Sequence, residues 1–289
     1  MLINTGGGRQ QLKSIYLKDF PKVNLLLVLI AIGAAYAAIV PSMVGDWYND
    51  PNYSHGFLVP LLSVYFLSLN WDELKLSPVR PSNAGLVVIV GSLLLLVLGY
   101  IGTEYFTMRS SLVLLVGGIV LYWFGWAVLR LTSLPIAFLI FMVPLPYIVY
   151  DSLAFPLKLL VTKASVGVLK ILSFPVVREG NIIMFPQTVL EVADACSGLR
   201  SLMSLVTLAV ALAFITQKTP IKRTILIVSA VPVAIVTNMF RVITTGVLAS
   251  YYGAAAAEGF FHEFAGMAVF VLAMVILFVE GAILTKVRL

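Results

Sequence analysis

Three side chains in the carboxyl-terminal part of the chain combine types that can perform covalent chemistry: Cys196, Arg241 and His262. A cysteine attacks a carbonyl as its thiolate, which forms readily only where a base or a cation lies beside the thiol. Histidine can take that proton and return it to a leaving amine, because its ordinary pKa of about 6.5 is close to neutral pH. Arginine stays protonated, so its guanidinium can stabilise a thiolate or an oxyanion. Together, these residue types suit acyl transfer through a thioester.

Each of these residues also has a simpler interpretation when it is considered alone. A lone cysteine such as Cys196 commonly packs as a small apolar side chain. Arg241 can snorkel from an apolar segment to the membrane surface, and His262 can be an interfacial residue at the start of a helix. Their joint occurrence favours catalysis, because they belong to three consecutive predicted spans and fall at a similar predicted depth near the outer membrane face.

Two further polar residues lie close to this group in the sequence and have a less specific predicted role. Asn238 precedes Arg241 by three residues and therefore shares its helix face. Arg200 lies one turn after Cys196 and can bind an acidic group of a substrate, or anchor the helix end at the membrane surface. We predict that both residues bind substrate or support the catalytic residues.

Other candidates near the site have weaker support. Asp194 can orient His262 or cap a helix, and His55 is expected to support the site at most. The chain has one cysteine and two histidines, so we expect neither a cysteine-based zinc site nor a histidine-based metal centre. The sequence therefore predicts an enzyme that uses no metal and no cofactor.

The elements that must position these residues are membrane helices. The chain is 61% hydrophobic and 11% charged, with a mean hydropathy of +1.03, whereas soluble domains carry about 25% charged residues. This composition excludes a disordered chain, a disulfide scaffold and an ordinary soluble enzyme. The net charge of +6 does not indicate nucleic-acid binding, because the basic residues lie in short intervals between apolar segments.

The apolar segments predict an all-α integral membrane protein with about eight transmembrane helices. A short segment, 55–69, is marginal by itself but is needed for that number. The whole chain, 1–289, is predicted to be a single polytopic domain. The predicted spans are 24–44, 55–69, 84–102, 110–128, 131–150, 199–215, 224–251 and 262–284.

Basic residues predict the orientation of these helices. They collect before the first span, after the last span and in alternate loops, which the positive-inside rule assigns to the cytoplasm. Both termini, including the segment 1–23, are therefore predicted to be cytoplasmic, and the active site extracytoplasmic. The basic residues that support this orientation are Arg9, Lys13, Lys18, Lys22, Lys75, Arg80, Arg130, Lys218, Lys222, Arg223, Lys286 and Arg288.

The segment 151–195 does not fit a simple span. Three lysines, Lys158, Lys163 and Lys170, interrupt its apolar part, and a lysine at the bilayer centre costs about 2.5–3.5 kcal/mol. We predict an amphipathic helix at the outer interface, where lysines can snorkel. Gly180 and Asn181, between apolar flanks, predict the tip of a short hairpin before Cys196.

The motifs taken together resemble the signature of the exosortase/archaeosortase family, over roughly residues 24–284. The cysteine block followed by the arginine motif is the specific part, and a histidine in the third motif is similar to the bacterial exosortase type. The matching segments are Tyr53-Ser-His-Gly-Phe-Leu-Val-Pro60, Gly180-Asn181, Asp194-Ala-Cys-Ser-Gly-Leu-Arg-Ser201, Asn238-x-x-Arg241 and His262-x-x-x-Gly266.

The resemblance implies a transpeptidase of the bacterial cytoplasmic (inner) membrane that acts on exported proteins. Such substrates end in a short motif (Pro-Glu-Pro in the best-known class), an apolar helix and a basic cluster. The resemblance makes Cys196 the nucleophile, Arg241 its electrostatic partner and His262 the third catalytic residue. It leaves open the cut site, the choice between water and an amine acceptor, and the need for a separate envelope-assembly partner.

Two other functions compete with this interpretation. A small transporter or channel for envelope polysaccharide would explain polar groups inside a helix bundle and helices interrupted by proline and glycine. A non-catalytic scaffold of an envelope-assembly complex is the third possibility. The sequence favours the enzyme, because the polar residues gather at one depth and do not form a path across the membrane.

Overall fold

The computed structural model of the chain describes residues 22–186, 188–192, 199–253 and 260–287, and the side chains of 22–25, 199–200 and 260–263 lie outside that description. Two compact units are present. One is formed from the ranges Met1–Val44 and Leu58–Val143, and the other from Gly45–Phe57 and Pro144–Leu289. The single polytopic domain stays a prediction.

The first unit consists of helices that pack closely through small residues. The helices that lie wholly or partly in this unit are α1 (Lys22–Ala35), α2 (Ile39–Asn49), α3 (Leu58–Leu69), α4 (Trp71–Leu76), α5 (Ala84–Ile101), α6 (Tyr105–Phe124) and α7 (Trp126–Phe138). A methyl group added at Gly85 of α5 would overlap the backbone of Tyr122 of α6, so this helix pair requires glycine there. Arg109 of α6 is 4% exposed and donates from Nη2 to Ser42 Oγ at 3.2 Å.

The first predicted span, 24–44, is not one straight helix. The chain bends by 67° between α1 and α2. Tyr36 lies in this bend, is buried and shares a hydrogen bond of 2.7 Å with Ser111 Oγ of α6. The bent pair can therefore count as one broken span.

The predicted span 131–150 is wrong as a continuous helix. Helix α7 ends at Phe138, a 3₁₀ turn follows at Leu139–Met142, and α8 begins at Tyr147. The cause is the pair Pro144 and Pro146, because a residue before proline is forced out of the helical region. Val143 accordingly adopts an extended conformation, with φ −87° and ψ 118°.

The second unit contains the longest helices and a small sheet. Its helices are α8 (Tyr147–Ile171), α9 (Leu199–Thr216), α10 (Pro220–Tyr252) and α11 (Phe260–Lys286), and a short 3₁₀ helix lies at Ser54–Phe57. Helix α10 packs against α8, α9 and α11. The apolar core shared by α9, α10 and α11, here called the bundle core, consists of Leu205, Ala209, Leu212, Ala213, Leu226, Ala230, Ala234, Ala273, Leu277 and Leu284.

Three short strands precede the segment that carries Cys196. They are β1 (Val177–Glu179), β2 (Ile182–Met184) and β3 (Val189–Glu191), and they form an antiparallel sheet in the order β1-β2-β3. Gly180 and Asn181 join β1 to β2, where the sequence predicts a hairpin tip. Gly180 has φ +59°, a conformation that glycine adopts without strain. The third strand is not part of the prediction.

Helix α8 differs from the interfacial helix predicted within 151–195. It begins at Tyr147 and continues for 25 residues, and by length and composition it is a candidate span. Two of its three lysines avoid the packed face, since Lys163 and Lys170 are exposed and Lys158 is half-buried, whereas Val161 and Leu169 are buried. The one-sided burial agrees with an amphipathic helix, and its place at the interface stays a prediction.

The protein is a mostly helical, multi-pass membrane protein. Five helices in the described ranges are long and apolar enough to cross a membrane, or six when the bent pair α1 and α2 is one span. Shorter apolar helices lie at Ser54–Leu69, Trp126–Met142 and Ser201–Thr216. The predicted number of eight spans is therefore not confirmed.

Candidate active site

Arg241 lies inside the second unit with its guanidinium against helix α11. The residue is 8% exposed, and Asn238, one turn earlier on α10, is 3% exposed. A Cβ added at Gly266 would lie 3.2 Å from Nη2 of Arg241 and 3.3 Å from its Cζ. Gly266 therefore provides the space that brings the arginine against α11, one turn after the backbone of His262.

The register between α10 and α11 is regular over this distance. Gly281 of α11 lies against Leu226 of α10, since a Cβ there would be 3.5 Å from Leu226 Cδ2. The interval from 226 to 241 on α10 equals that from 266 to 281 on α11, so the two helices run antiparallel over roughly 22 Å. A Cβ added at Gly281 would also be 3.5 Å from Leu212 of α9. The bundle core thus fixes all three helices relative to Arg241.

The sheet is attached to the same part of α10. Ile183 and Val192 are 0% and 1% exposed, and both belong to an apolar cluster that includes Val242, the residue after Arg241. A Cβ at Gly246 would lie 2.9 Å from Phe185 Cζ, so glycine allows the sheet to approach α10 closely. The last described residue before the cysteine segment, Val192, is therefore held beside α10.

Asn181 joins the hairpin tip to the end of β3. Its backbone carbonyl accepts from Val192 N at 2.9 Å, and its side-chain Nδ2 donates to Val192 O at 3.2 Å. The same Nδ2 donates to Glu191 Oε1 at 3.3 Å. Asn181 thereby satisfies both backbone groups of Val192.

His55 contacts the helix that follows the cysteine segment. Its Nδ1 lies 3.3 Å from Ser204 Oγ of α9. The 3₁₀ helix that carries His55 packs on α2, because a methyl group at Gly56 would overlap the indole ring of Trp47. The ring of Phe57 meets the same indole edge to face at 5.3 Å. This packing fixes His55 near the start of α9.

Tyr53, two residues before His55, helps to anchor this segment. It is 9% exposed, and its hydroxyl donates to Leu145 O at 3.4 Å. Burial, reinforced by the nearby carboxylate of Asp50, raises the pKa of Tyr53 to about 12. The phenol therefore stays neutral throughout the physiological range. Tyr150 of α8 adds a hydrogen bond of 3.4 Å to Asn52 Oδ1.

The structure describes some of the predicted site residues and not others. Cys196 and Asp194 lie outside the described residues, and only the backbones of Arg200 and His262 are described. Arg241 and Asn238 are buried side chains on one face of α10, as their spacing predicts. Within the described ranges, no group of three histidine, cysteine or acidic side chains could hold a metal ion.

Sequence reasoning missed two of the contacts around this site. The first is the contact between His55 and Ser204. The available signal was that Ser204 follows Arg200 by four residues and therefore shares its helix face. The bonds of Asn181 to Val192 are the other, and a short hairpin predicted without its third strand offers no partner for that amide.

Comparison with known proteins identifies one family. The family model described as transmembrane exosortase matches residues 47–279, which is most of the chain. The match begins within α2, ends within α11, and contains all the predicted catalytic residues. No curated protein and no solved structure matches the chain.

Proposed function

The chain belongs to the transmembrane exosortase family, and from this membership we propose that it is a membrane-embedded cysteine endopeptidase and transpeptidase. Its proposed substrates are exported proteins whose C-terminal sorting signal consists of a short motif similar to Pro-Glu-Pro, an apolar helix and a basic tail. The proposed catalytic residues are Cys196, Arg241 and His262. The family match supports a sorting enzyme in the membrane, and the site supports the chemistry.

The observation that carries the proposal is the buried guanidinium of Arg241 beside Gly266. A charge inside a membrane helix is costly and is typically retained for function. Here it is directed to α11, one turn from His262, and it shares its helix face with the buried Asn238. A cation in a water-poor site stabilises a nearby thiolate or oxyanion far more than it would in water.

The covalent chain limits how far Cys196 can lie from this guanidinium. Cys196 follows Val192 by four residues, so their Cα atoms are separated by at most about 14 Å. It precedes Leu199, the first residue of α9, by three residues, or at most about 11 Å. Val192 belongs to the same apolar cluster as Val242, and α9 packs against α10. The residue before the cysteine segment therefore lies near Arg241, and the helix after this segment packs on the helix that carries Arg241.

The proposed reaction needs two acyl transfers. The thiolate of Cys196 attacks the carbonyl carbon of the scissile peptide, and the proton of the thiol passes to His262. Arg241 stabilises the oxyanion of the tetrahedral intermediate. The C–N bond then breaks, the leaving amine takes the proton from His262, and a thioester forms. Water or an acceptor amine next attacks the thioester and gives a proton to His262. The C–S bond breaks, and the departing thiolate takes that proton back, which restores the thiol and the neutral histidine.

The proposed topology places this chemistry on the outer side of the bacterial cytoplasmic membrane. Eight crossings with both termini in the cytoplasm agree with the distribution of basic residues. A substrate helix held by its basic tail on the inner side would present its motif on the outer side, at the end of α9 that follows Cys196. Arg200, in the first turn of α9, is the proposed partner for an acidic residue of the motif.

Substitution of the three residues tests the proposal. We expect Cys196→Ala to abolish processing of a co-expressed substrate that carries the sorting signal. Arg241→Gln should lower the processing rate by about 100- to 1,000-fold, the typical effect of removing one oxyanion-stabilising group. His262→Ala should also lower the processing rate, by at least about 100-fold. Mass spectrometry of the substrate would give the cut site and would detect a thioester.

The matched control is Arg130→Gln, which removes an exposed arginine from the start of α7 and should process at the wild-type rate. Processing by Cys196→Ala at wild-type protein levels would overturn the proposed mechanism.

Alkylation of the thiol gives a second measurement. Because Cys196 is the only cysteine, iodoacetamide reports on it alone. In Arg241→Gln the pH midpoint of alkylation should move towards about 8.5, the value of an ordinary thiol.

A further inference from the structure

We propose that Asn181 is a positioning residue, which fixes the strand end that leads into Cys196 and thereby aligns the thiol with Arg241. The inference rests on the proposed function, because it assumes that Cys196 is the nucleophile. In this inference Asn181 has no part in the chemical steps. Asn181 acts through Val192, the last described residue before the cysteine segment.

The contacts of Asn181 are unusual for a residue at the tip of a hairpin. A turn residue of a two-stranded hairpin usually faces solvent, but Asn181 is half-buried. It lies just before β2 and bonds to the end of β3 and to the residue after it. Its carbonyl and its amide occupy both backbone groups of Val192, at 2.9 Å and 3.2 Å. These two bonds extend the ladder one residue beyond β3, and they set where the chain leaves the sheet.

The sheet is itself fixed on the helix that carries Arg241. Ile183 is fully buried in the cluster that joins α8, the sheet and α10. The ring of Phe185 packs against α10 at Gly246, where the absence of a side chain leaves room for it. Because Asn181 ties Val192 to this sheet, its bonds relate the start of the cysteine segment to the backbone of α10. Cys196 follows Val192 by four residues, so the position of Val192 limits where the thiol can lie.

The chemistry of these contacts requires an amide at position 181. Nδ2 donates both to Val192 O and to Glu191 Oε1. Aspartate has the same shape as asparagine but has only acceptors when ionised. It would lose both donated bonds and would place a second carboxylate beside Glu191. Asn181→Asp therefore changes the bonds of this position while its size stays nearly constant.

The test compares Asn181→Asp with Arg178→Gln in the full-length protein, purified in detergent, with a substrate protein that carries the sorting signal. Arg178 lies in the same hairpin and donates to Gly180 O at 3.0 Å, so its loss removes a hairpin bond without touching Val192. We expect Asn181→Asp to lower kcat by about tenfold or more, since small misplacements of reacting groups are costly. KM should stay within about twofold, because the substrate contacts are unchanged.

Alkylation of the single cysteine supplies a second measurement. In Asn181→Asp we expect the alignment of the thiol with the guanidinium to be lost, so that the thiolate is stabilised less. The pH midpoint of the reaction with iodoacetamide should therefore rise. Arg178→Gln should leave kcat and this midpoint at wild-type values. A purely structural role would lower the melting temperature and leave kcat and the midpoint of the folded molecules unchanged, and that result would overturn the inference.

A second substitution covers the case in which the first variant does not fold. If Asn181→Asp does not fold, Asn181→Ala removes the donors without adding a charge, and the same expectations apply. Failure of both variants to fold would assign Asn181 a structural role alone.

The Cys196→Ala variant separates this inference from the proposed function. If Cys196→Ala processes substrate normally, the proposed function fails. Loss of processing in Cys196→Ala with normal kcat in Asn181→Asp would reject only the positioning role.

Discussion

A guanidinium held inside a helix bundle needs space, and here one glycine provides it. At Gly266 an added Cβ would lie 3.2 to 3.5 Å from three atoms of the Arg241 guanidinium, so alanine requires a small displacement and leucine a large one. We predict that Gly266→Ala lowers processing by about tenfold, and that Gly266→Leu approaches the loss seen in Arg241→Gln. Rates of substrate cleavage by the purified variants would measure both effects.

Gly281 offers a matched control on the same helix. An added Cβ at Gly281 would meet Leu212 and Leu226 at 3.5 Å, which is ordinary van der Waals contact. Gly281→Ala should therefore keep cleavage within about twofold of the wild-type rate. A Gly266→Leu variant that cleaves substrate normally would show that the position of the guanidinium does not matter for the reaction.

Residue types and their order suffice to select Arg241 and Asn238, because a polar pair three residues apart in an apolar segment stands out from its surroundings. The sequence cannot show why Gly266 is needed, since that requirement comes from a side chain on another helix. The contact between His55 and Ser204 is hidden for the same reason, as 149 residues separate its members. The polar pair on α10 could therefore be selected from the sequence, whereas the packing around it could not.

At the scale of elements, the start of α6 is set by one carboxylate. Glu104 is the N-cap residue and accepts from Phe106 N at 3.1 Å and from Thr107 N at 2.6 Å. Burial raises the pKa of Glu104, but these hydrogen bonds, with the guanidinium of Arg109 nearby, outweigh it and hold the pKa below its ordinary value. The ionised form is the one that caps the helix.

We predict that Glu104→Ala lowers the stability of the protein by about 1 kcal/mol near neutral pH, the typical value of a helix cap. A depressed pKa gives stabilisation that is present above the unfolded pKa of about 4.3 and is lost as the pH falls through the folded value. The difference between the wild type and Glu104→Ala should therefore shrink on acidification. Thermal unfolding in detergent at pH 7 and in the acidic range would measure it.

Exposed acidic residues provide the comparison for this prediction. Glu179 is exposed on β1, and Glu179→Ala should change the melting temperature little at either pH. An unchanged melting temperature in Glu104→Ala at pH 7 would show that the first turn of α6 does not depend on this carboxylate. A difference that grows on acidification would contradict the direction expected from the pKa of Glu104.

Helix boundaries were predicted well where the apolar segment is long, and poorly where local backbone chemistry decides. The start of α5 at Ala84 and the start of α9 at Leu199 agree with the sequence. The segment 131–150 fails because hydropathy ignores Pro144 and Pro146, which end the helical conformation. Strand β3 was missed because three residues give no measurable alternation, and its partner strand supplies most of its hydrogen bonding.

At the scale of the whole molecule, the orientation of α8 is tied to that of its neighbours. Arg130, near the start of α7, and Lys218, after α9, are both predicted to face the cytoplasm. The chain between them must therefore cross the membrane an even number of times. If the 25-residue α8 crosses, then one of the shorter apolar elements, Trp126–Met142 or Ser201–Thr216, does not.

We predict that α8 stays on the outer side, because Lys158, Lys163 and Lys170 would be costly inside the bilayer. Cysteines introduced by Asp151→Cys and Leu172→Cys, each in a Cys196→Ser background, mark the exposed ends of this helix. Both should react with a membrane-impermeant maleimide added to spheroplasts. Lys218→Cys in the same background should react only after the membrane is permeabilised. Labelling of the two ends of α8 from opposite sides would instead make α8 a true span, and would require α7 or α9 to turn back within the membrane.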